Sequence, residues 1–257
     1  MIGSEFHFGN SQEALLAFAI HNGHQLPSEL QDSCGIDEAT RLREEDPFTG
    51  GFAELFDNHV VVATSRFAVD LNRSMDKAVY LKPEDAWGLP VRNCELESAI
   101  IEELQEAYQA WYRMVQYQID RLLTLHPRLL ILDLHSYNHH RGGIDAAYDP
   151  QSQNPDIIIG RSNLSQEFYP QIEKLRCTLD GVPYQGGTLD CRCDVKFSGG
   201  NFSRWLNNRY GSSAICLAIE FKKTFMDEWS GKLNLEAYSE LKQLFLAAIS
   251  QWKGCIL

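Results

Sequence analysis

The most sharply patterned stretch of the chain is Leu129-Leu-Ile-Leu-Asp-Leu-His135-Ser136, an apolar run that stops on a histidine. Five of the six residues before His135 are Leu or Ile, the pattern of a strand buried on both faces of a parallel sheet. Ala17-Phe-Ala-Ile20 is a second apolar stretch and runs straight into His21-Asn22-Gly23-His24. Residues 59–64 (His-Val-Val-Val-Ala-Thr), Ile157–Ile159 closed by Gly160, and Ile215–Phe221 read as further strands. Helical spacing runs from about Leu96 to Leu125 through Ile100, Leu104, Tyr108, Trp111, Tyr112, Val115 and Tyr117, and ends near His126-Pro127. Its aromatic stripe is read as core packing. Helices are also predicted over 164–179 and 234–252, with loops at 137–156 and 184–203. Strands alternating with helices predict an α/β fold: one domain with a mixed, mostly parallel sheet flanked by helices. No internal repeat, low-complexity tract or linker divides it.

The length of 257 residues suits one large α/β domain with a substantial core. A net charge of −12 argues against a nucleic-acid partner, because phosphate binding is driven by Lys and Arg. It leaves room for an anionic small molecule met by a local pair of arginines. No run approaches the roughly 20 apolar residues that cross a membrane, and the first residues lack a signal-peptide pattern. The seven cysteines are scattered, and Cys191-Arg-Cys193 has no second pair to answer it. Free thiols and a cytoplasmic location are the expectation.

Candidate chemistry gathers where the apolar runs end, since ligands of open α/β sheets bind at the carboxyl edge of the strands. Two strands that deliver imidazoles to one edge suggest a metal site. A catalytic zinc takes three protein ligands and keeps one position open. His21 and His135 are the first two candidates, and His24, Glu45 and Asp46 compete for the third. Asp46 also has a structural reading, as the N-cap of a helix with Pro47 at its first position. Glu220 lies within Leu217-Ala-Ile-Glu-Phe221, where a carboxylate must be paired, metal-linked or functional. Beside an activated water it would serve as general base. Asn72 and Arg73 follow an apolar stretch, and Arg offers the fork that grips a carboxylate. Arg66 suits a developing oxyanion. His139 and His140 read as loop polar groups.

Taken in order, Phe18-Ala-Ile-His-Asn-Gly-His-Gln-Leu-Pro27, Ser65-Arg66 with Asp70-Leu-Asn72-Arg73, Asp133-Leu-His135-Ser136, Pro183-Tyr184-Gln-Gly-Gly187 and Ile219-Glu220 resemble the N-formylglutamate amidohydrolase family. The resemblance covers about residues 17 to 225, and the Asp-Leu-Asn-Arg and Asp-Leu-His-Ser elements are its most specific part. The family is distantly similar to zinc carboxypeptidases and aspartoacylase, which implies a phosphorylase/hydrolase-like fold over the whole chain. It implies His21, His135 and Asp46 as ligands of one zinc ion, and Glu220 as general base. Arg66 would polarise the carbonyl, and Asn72 with Arg73 would clamp a substrate carboxylate. The chain departs from the family's usual Pro-His-x-Gly opening, having Ile20-His21-Asn22-Gly23 instead, which bears on substrate identity.

The implied reaction is hydrolysis of the amide of an N-acyl amino acid, with N-formylglutamate the default substrate. Arg141, in the loop after His135, would meet a second substrate carboxylate, and Tyr184 would close over the substrate. The same zinc, clamp and base would also serve a metallocarboxypeptidase trimming peptide C-termini. A homologue without activity would act as a binding protein, but every candidate residue is present. Substrate choice is placed in the two long loops.

Overall fold

The computed structural model describes all of residues 1–257. In chain order its elements are β1 (Ser4–Phe8), β2 (Leu15–Ala19), α1 (Ser28–Gln31), α2 (Glu38–Glu44), α3 (Gly50–Ala53), β3 (Asn58–Val62) and α4 (Ser98–Leu123). Then come β4 (Leu129–Tyr137), β5 (Ile157–Gly160), α5 (Tyr169–Leu179), β6 (Pro183–Tyr184), β7 (Gly187–Thr188), β8 (Cys191–Cys193), α6 (Asn201–Tyr210), β9 (Ala214–Lys222) and α7 (Leu235–Trp252). One seven-stranded sheet runs β1-β3-β2-β4-β9-β5-β8, and β6 and β7 form a small hairpin beside it. Its centre, β3-β2-β4-β9, is parallel. Antiparallel pairing enters at β1 on one side and at β5 on the other, and β8 runs parallel to β5. The mixed α/β fold is the one expected from the sequence.

Alternation along the central strands assigns each residue to a face. Leu130, Leu132 and Leu134 of β4 join the core beneath α3, α5 and α7, whereas Leu129 and Ile131 pack under α4 and α6. All nine residues of β4 are buried, as a strand covered on both faces requires. The second face then changes character. After Leu129 and Ile131 it carries Asp133 and His135, and on β9 it runs from Ala214 and Cys216 to Ala218 and Glu220. Apolar packing thus gives way to ionisable groups toward the carboxyl ends of two adjacent strands.

Several boundaries differ from the sequence pattern for local reasons. The helix expected over 164–179 starts only at Tyr169, with Pro170 in its first turn, where a missing N–H costs nothing. No helix starts at Asp46-Pro47. Phe48 takes a left-handed φ of 70°, and the four-residue α3 begins at Gly50. Along α4, Tyr108, Trp111, Tyr112 and Val115 are buried as expected, but Tyr117 is at the surface. All seven cysteines are free. No helix is long and apolar enough to cross a membrane.

Phe52 of α3 is the packing point between the chain that follows Asp46 and the sheet. Its ring stacks on Phe221 at 4.3 Å and meets Phe225, Tyr238 and Phe245 edge-on. Phe52→Ala should cost about 3–5 kcal/mol of unfolding free energy by chemical denaturation. A loss under 1 kcal/mol would show that the site's support does not depend on this cluster.

Candidate active site

His21 follows β2, His135 lies near the end of β4, and Asp46 lies between α2 and α3, where its backbone N–H donates to the His21 carbonyl at 3.0 Å. All three side chains are buried. Asp46 Oδ2 stands 2.9 Å from His135 Nδ1 and 3.4 Å from His21 Nδ1, and the three ligand atoms lie within 4.8 Å of one another. Asp46 therefore points its carboxylate at the two imidazoles and does not cap a helix. The rival ligands pair with each other: His24 Nδ1 meets Glu45, whose other oxygen accepts from the Ser65 hydroxyl. Burial raises the Glu45 carboxyl above its ordinary range.

Each imidazole has a carboxylate behind it. His21 Nε2 lies 2.8 Å from Asp70 Oδ1, which directs the proton to Nε2 and leaves Nδ1 for a ligand role. His135 Nε2 stands 2.9 Å from Asp133 Oδ1, off the line of a hydrogen bond. Both Asp133 oxygens are consequently buried without a hydrogen-bond partner. Asp70 also accepts from the Asn72 backbone N–H at 2.7 Å, from Arg66 Nη2 at 2.7 Å and from the Tyr80 hydroxyl. Burial opposes its charge, but Arg66 and His21 hold its carboxyl well below the usual range. Asp46 behaves alike: burial opposes the charge, and the His135 and His21 imidazoles beside it pull the carboxyl down.

Glu220 is the neighbour of His135 in the β4–β9 register, and both side chains face one cavity of about 800 Å³. Burial pushes its carboxyl from 4.5 up to about 8. Burial also opposes a charge on His135, but Asp133 above all holds that imidazolium well above its ordinary 6.5. The two histidines, one aspartate and their backing carboxylates form a nitrogen and oxygen donor set short of positive charge. A divalent ion fits it.

Most of the predicted site residues share this cavity. Its only hydrophobic lining is Trp87, Tyr137 and Phe197, and Arg66, Arg73, Lys77, Arg141, Lys196 and Arg204 stand around it. Trp87 lies under two of those cations, with the Arg66 guanidinium 4.8 Å and the Arg73 guanidinium 5.5 Å from its ring. Asn72 Nδ2 reaches to 3.5 Å from His135 Nε2, and its Oδ1 accepts from the Phe202 N–H at 2.9 Å. Gly200 is required beside it, because a Cβ there would stand 2.2 Å from the Asn72 amide. Arg141 enters from the loop after β4 and is held by Glu44 at 3.2 Å. Tyr184 is brought elsewhere. The β6–β7 hairpin turns its ring into the core, where the hydroxyl meets Thr224 Oγ1 at 3.0 Å, so it does not line the cavity. Of the 184–203 loop, residues 196–201 reach the cavity, since 191–193 are zipped into the sheet as β8. His139 and His140 bind Glu228 and the Ala146 carbonyl, away from the triad.

The model of the family "N-formylglutamate amidohydrolase" matches residues 14–226. The chain belongs to that family. An N-formylglutamate amidohydrolase from Ralstonia eutropha has the same fold, with a TM-score of 0.75 at 14% identity over 100% of this chain and 98% of that one. A gene product of Agrobacterium tumefaciens superposes with a TM-score of 0.69 at 15% identity over 98% of this chain and 96% of its own. A metallo-carboxypeptidase from Burkholderia cenocepacia, at 14% identity over 95% of this chain and 57% of that one, reaches a TM-score of only 0.31. No curated protein matches the sequence.

In this member of the N-formylglutamate amidohydrolase family, three further residues support the site. Asp70 and Asp133 back the histidines, and both were detectable as acids within apolar stretches. Lys223 gave no such signal. Its buried Nζ donates to the Arg43 carbonyl at 2.7 Å, the Glu45 carbonyl at 2.7 Å and Asn138 Oδ1 at 2.9 Å. It thereby fixes the backbone immediately before Asp46, and burial lowers its ammonium to about 8.

Two outcomes follow from this arrangement. Asp70→Asn, which removes the charge behind His21, should weaken metal affinity by about 10–100-fold in competition with a chelator; unchanged affinity would deny Asp70 that role. In metal-free protein the folded state holds a proton on Glu220 that the unfolded chain releases above its ordinary 4.5. That contribution to stability is full below pH 4.5 and is lost as pH rises toward about 8, and the raised His135 acts in the same sense. Denaturation midpoints of metal-free protein should fall across that window, and Glu220→Gln should flatten the slope. Equal slopes would show that Glu220 keeps no such proton.

Proposed function

We propose that the chain is a metal-dependent amidohydrolase that cleaves the amide of an N-acyl amino acid, with N-formylglutamate as its substrate and glutamate and formate as products. The observation that carries this reading is the buried His21–Asp46–His135 triad with Glu220 as the strand neighbour of His135. The residues fit one zinc ion, which when bound would supply Lewis-acid activation of water and of the substrate carbonyl.

The chain's own groups divide the remaining work. Glu220 takes a proton from the attacking water and delivers it to the departing amine nitrogen as the carbon–nitrogen bond breaks. Its partial burial keeps its proton affinity high enough for both steps. Arg66, oriented by Asp70 and stacked on Trp87, donates to the carbonyl oxygen as negative charge develops there. Asn72 and Arg73 hold the α-carboxylate, and Arg141 meets the side-chain carboxylate of a glutamyl substrate. The cationic wall in a chain of net charge −12 supports an anionic substrate. A cavity of about 800 Å³ also favours a second reading, hydrolysis of a longer acyl group or a peptide C-terminus.

The test is metal content of purified protein, with release of glutamate from N-formylglutamate measured before chelation, after it, and after zinc is returned. Near-stoichiometric metal and chelator-sensitive turnover are expected. Glu220→Gln should retain the metal and lower kcat by about 10²–10⁴-fold, whereas Arg73→Ala should act mainly on KM. Bound metal without turnover would move the search to longer acyl-amino acids and peptides. A protein that takes up no metal at the triad would overturn the mechanism.

A further inference from the structure

Glu5, His7 and His59 form a second convergence of metal-binding side chains, and none of them lines the cavity. It lies on the edge strand β1 and its neighbour β3, at one side of the sheet. In the antiparallel β1–β3 ladder His7 stands directly opposite His59, and Glu5 is two residues along β1 from His7 and opposite Val61. Alternation puts all three on the face where Val61 packs, while Phe6 and Phe8 turn to the other side. Glu5 and His7 are exposed, and His59 is half-buried.

The geometry is that of ligands already gathered. The imidazoles of His7 and His59 stack at 4.9 Å between centroids and 15° between planes. Their ligand atoms and that of Glu5 lie within 4.8 Å of one another. His59 Nδ1 is 2.7 Å from the Phe56 carbonyl, so that nitrogen carries the proton and Nε2 is left with its lone pair. This backbone carbonyl orients a ligand histidine in the way outer partners of metal sites do. Gly9 leaves room for the other ring, since a Cβ there would stand 2.7 Å from His7 Nε2. Ligand atoms of a tetrahedral ion with bonds of about 2.0–2.1 Å lie about 3.4 Å apart. Closing that difference and aiming both lone pairs at one point requires the near-parallel rings to turn out of their stack, and the exposed position of His7 at the sheet edge leaves space for that turn.

We propose that Glu5, His7 and His59 form a surface site for one divalent transition-metal ion of the zinc class, separate from the buried triad. Two imidazoles and a carboxylate suit Zn²⁺, Co²⁺, Ni²⁺ and Cu²⁺ over the harder Mg²⁺ and Ca²⁺. The ion would join the edge strand β1 to β3 across their ladder and stabilise the edge against unpairing.

The experiment is equilibrium dialysis of the metal-stripped full chain against Zn²⁺, with bound metal counted in the wild type and in a His7→Ala/His59→Ala variant. The variant should bind one equivalent fewer than the wild type, whatever the triad binds, and should lose the rise in Tm that zinc gives beyond the first equivalent. His135→Ala should keep the edge equivalent, and its Cu²⁺ complex should show hyperfine coupling to two nitrogens that vanishes with His7→Ala. His7→Gln, a polar replacement at an exposed position, should weaken the edge equivalent by more than about tenfold and serves if the double variant folds poorly. Equal stoichiometry in wild type and variant would overturn the site, as would a Cu²⁺ spectrum unaffected by His7→Ala. Failure of the triad to bind metal would instead remove an equivalent common to both proteins.

Discussion

One buried carboxylate, Asp70, governs the placement of most groups in the cavity. It is fully buried and accepts from His21, Arg66, Tyr80 and the Asn72 backbone. A lone carboxylate in that environment would be intolerable; surrounded by donors, one of them a guanidinium, it becomes a rigid anchor. The candidate ligand His21, the side chain of Arg66 and the start of the Asn72-Arg73 segment proposed to clamp substrate therefore share one reference point. Their relative positions follow from how the chain from Ser65 to Arg73 folds around a single oxygen pair, and a shift of Asp70 would move all of them together.

The sheet supplies the other half of the arrangement. His135 and Glu220 are adjacent because β4 and β9 are parallel neighbours in a register that pairs those two residues. The apolar run ending on His135 and the isolated acid in Leu217–Phe221 made both visible from sequence, since burial patterns report strand ends directly. The pairing of the strands was not readable, because sheet order is a non-local property. Asp46 was ambiguous for a related reason. Asp followed by Pro is a strong local helix-start signal, and the left-handed Phe48 and the pull of two imidazoles override it. Asp70 and Asp133 were open to the same buried-charge argument as Glu220; the partner of Asp70, His21, lies 49 residues away, whereas Asp133 stands two residues before His135 on the same strand. Tyr184, expected to close over the substrate, is instead packed inward by the short β6–β7 hairpin, a placement that only the tertiary fold decides. Lys223 had no sequence signal, because its partners are mostly backbone carbonyls.

The long loops divide along the same lines. Residues 196–201 border the cavity because α6 must begin against Asn72, with Asn201 Nδ2 donating to the Arg73 carbonyl at 2.9 Å and Phe202 N–H to Asn72 Oδ1. The first turn of α6 and the Asn72-Arg73 segment are thus one unit, and Gly200 is the residue that lets them touch. Arg141 and Lys196 come from separate loops and are held more loosely, by Glu44 and Asn154. Groups anchored on Asp70 and α6 thus lie beside the triad, and cations carried by separate loops stand around it.

Charge balance ties these observations together. Asp46, Asp70, Asp133 and Glu220 are four acids around two histidines, and Arg66 is the cation paired among them. With neutral imidazoles and ionised acids, the cluster would carry an excess of three negative charges in a mostly buried place. Without a metal, the structure relieves that excess with protons: Glu220 is raised toward its neutral acid and His135 toward imidazolium, leaving one negative charge. A divalent ion would bring the same relief without either proton, leaving the Nδ1 atoms to ligate and Glu220 ionised for its proposed part as a base. The proton affinities of the metal-free cluster and its fitness for a cation therefore have one electrostatic cause. Asp133 makes the point most directly: its two oxygens are buried without a hydrogen-bond partner, and it is the foremost cause that raises the charge on His135 beside it.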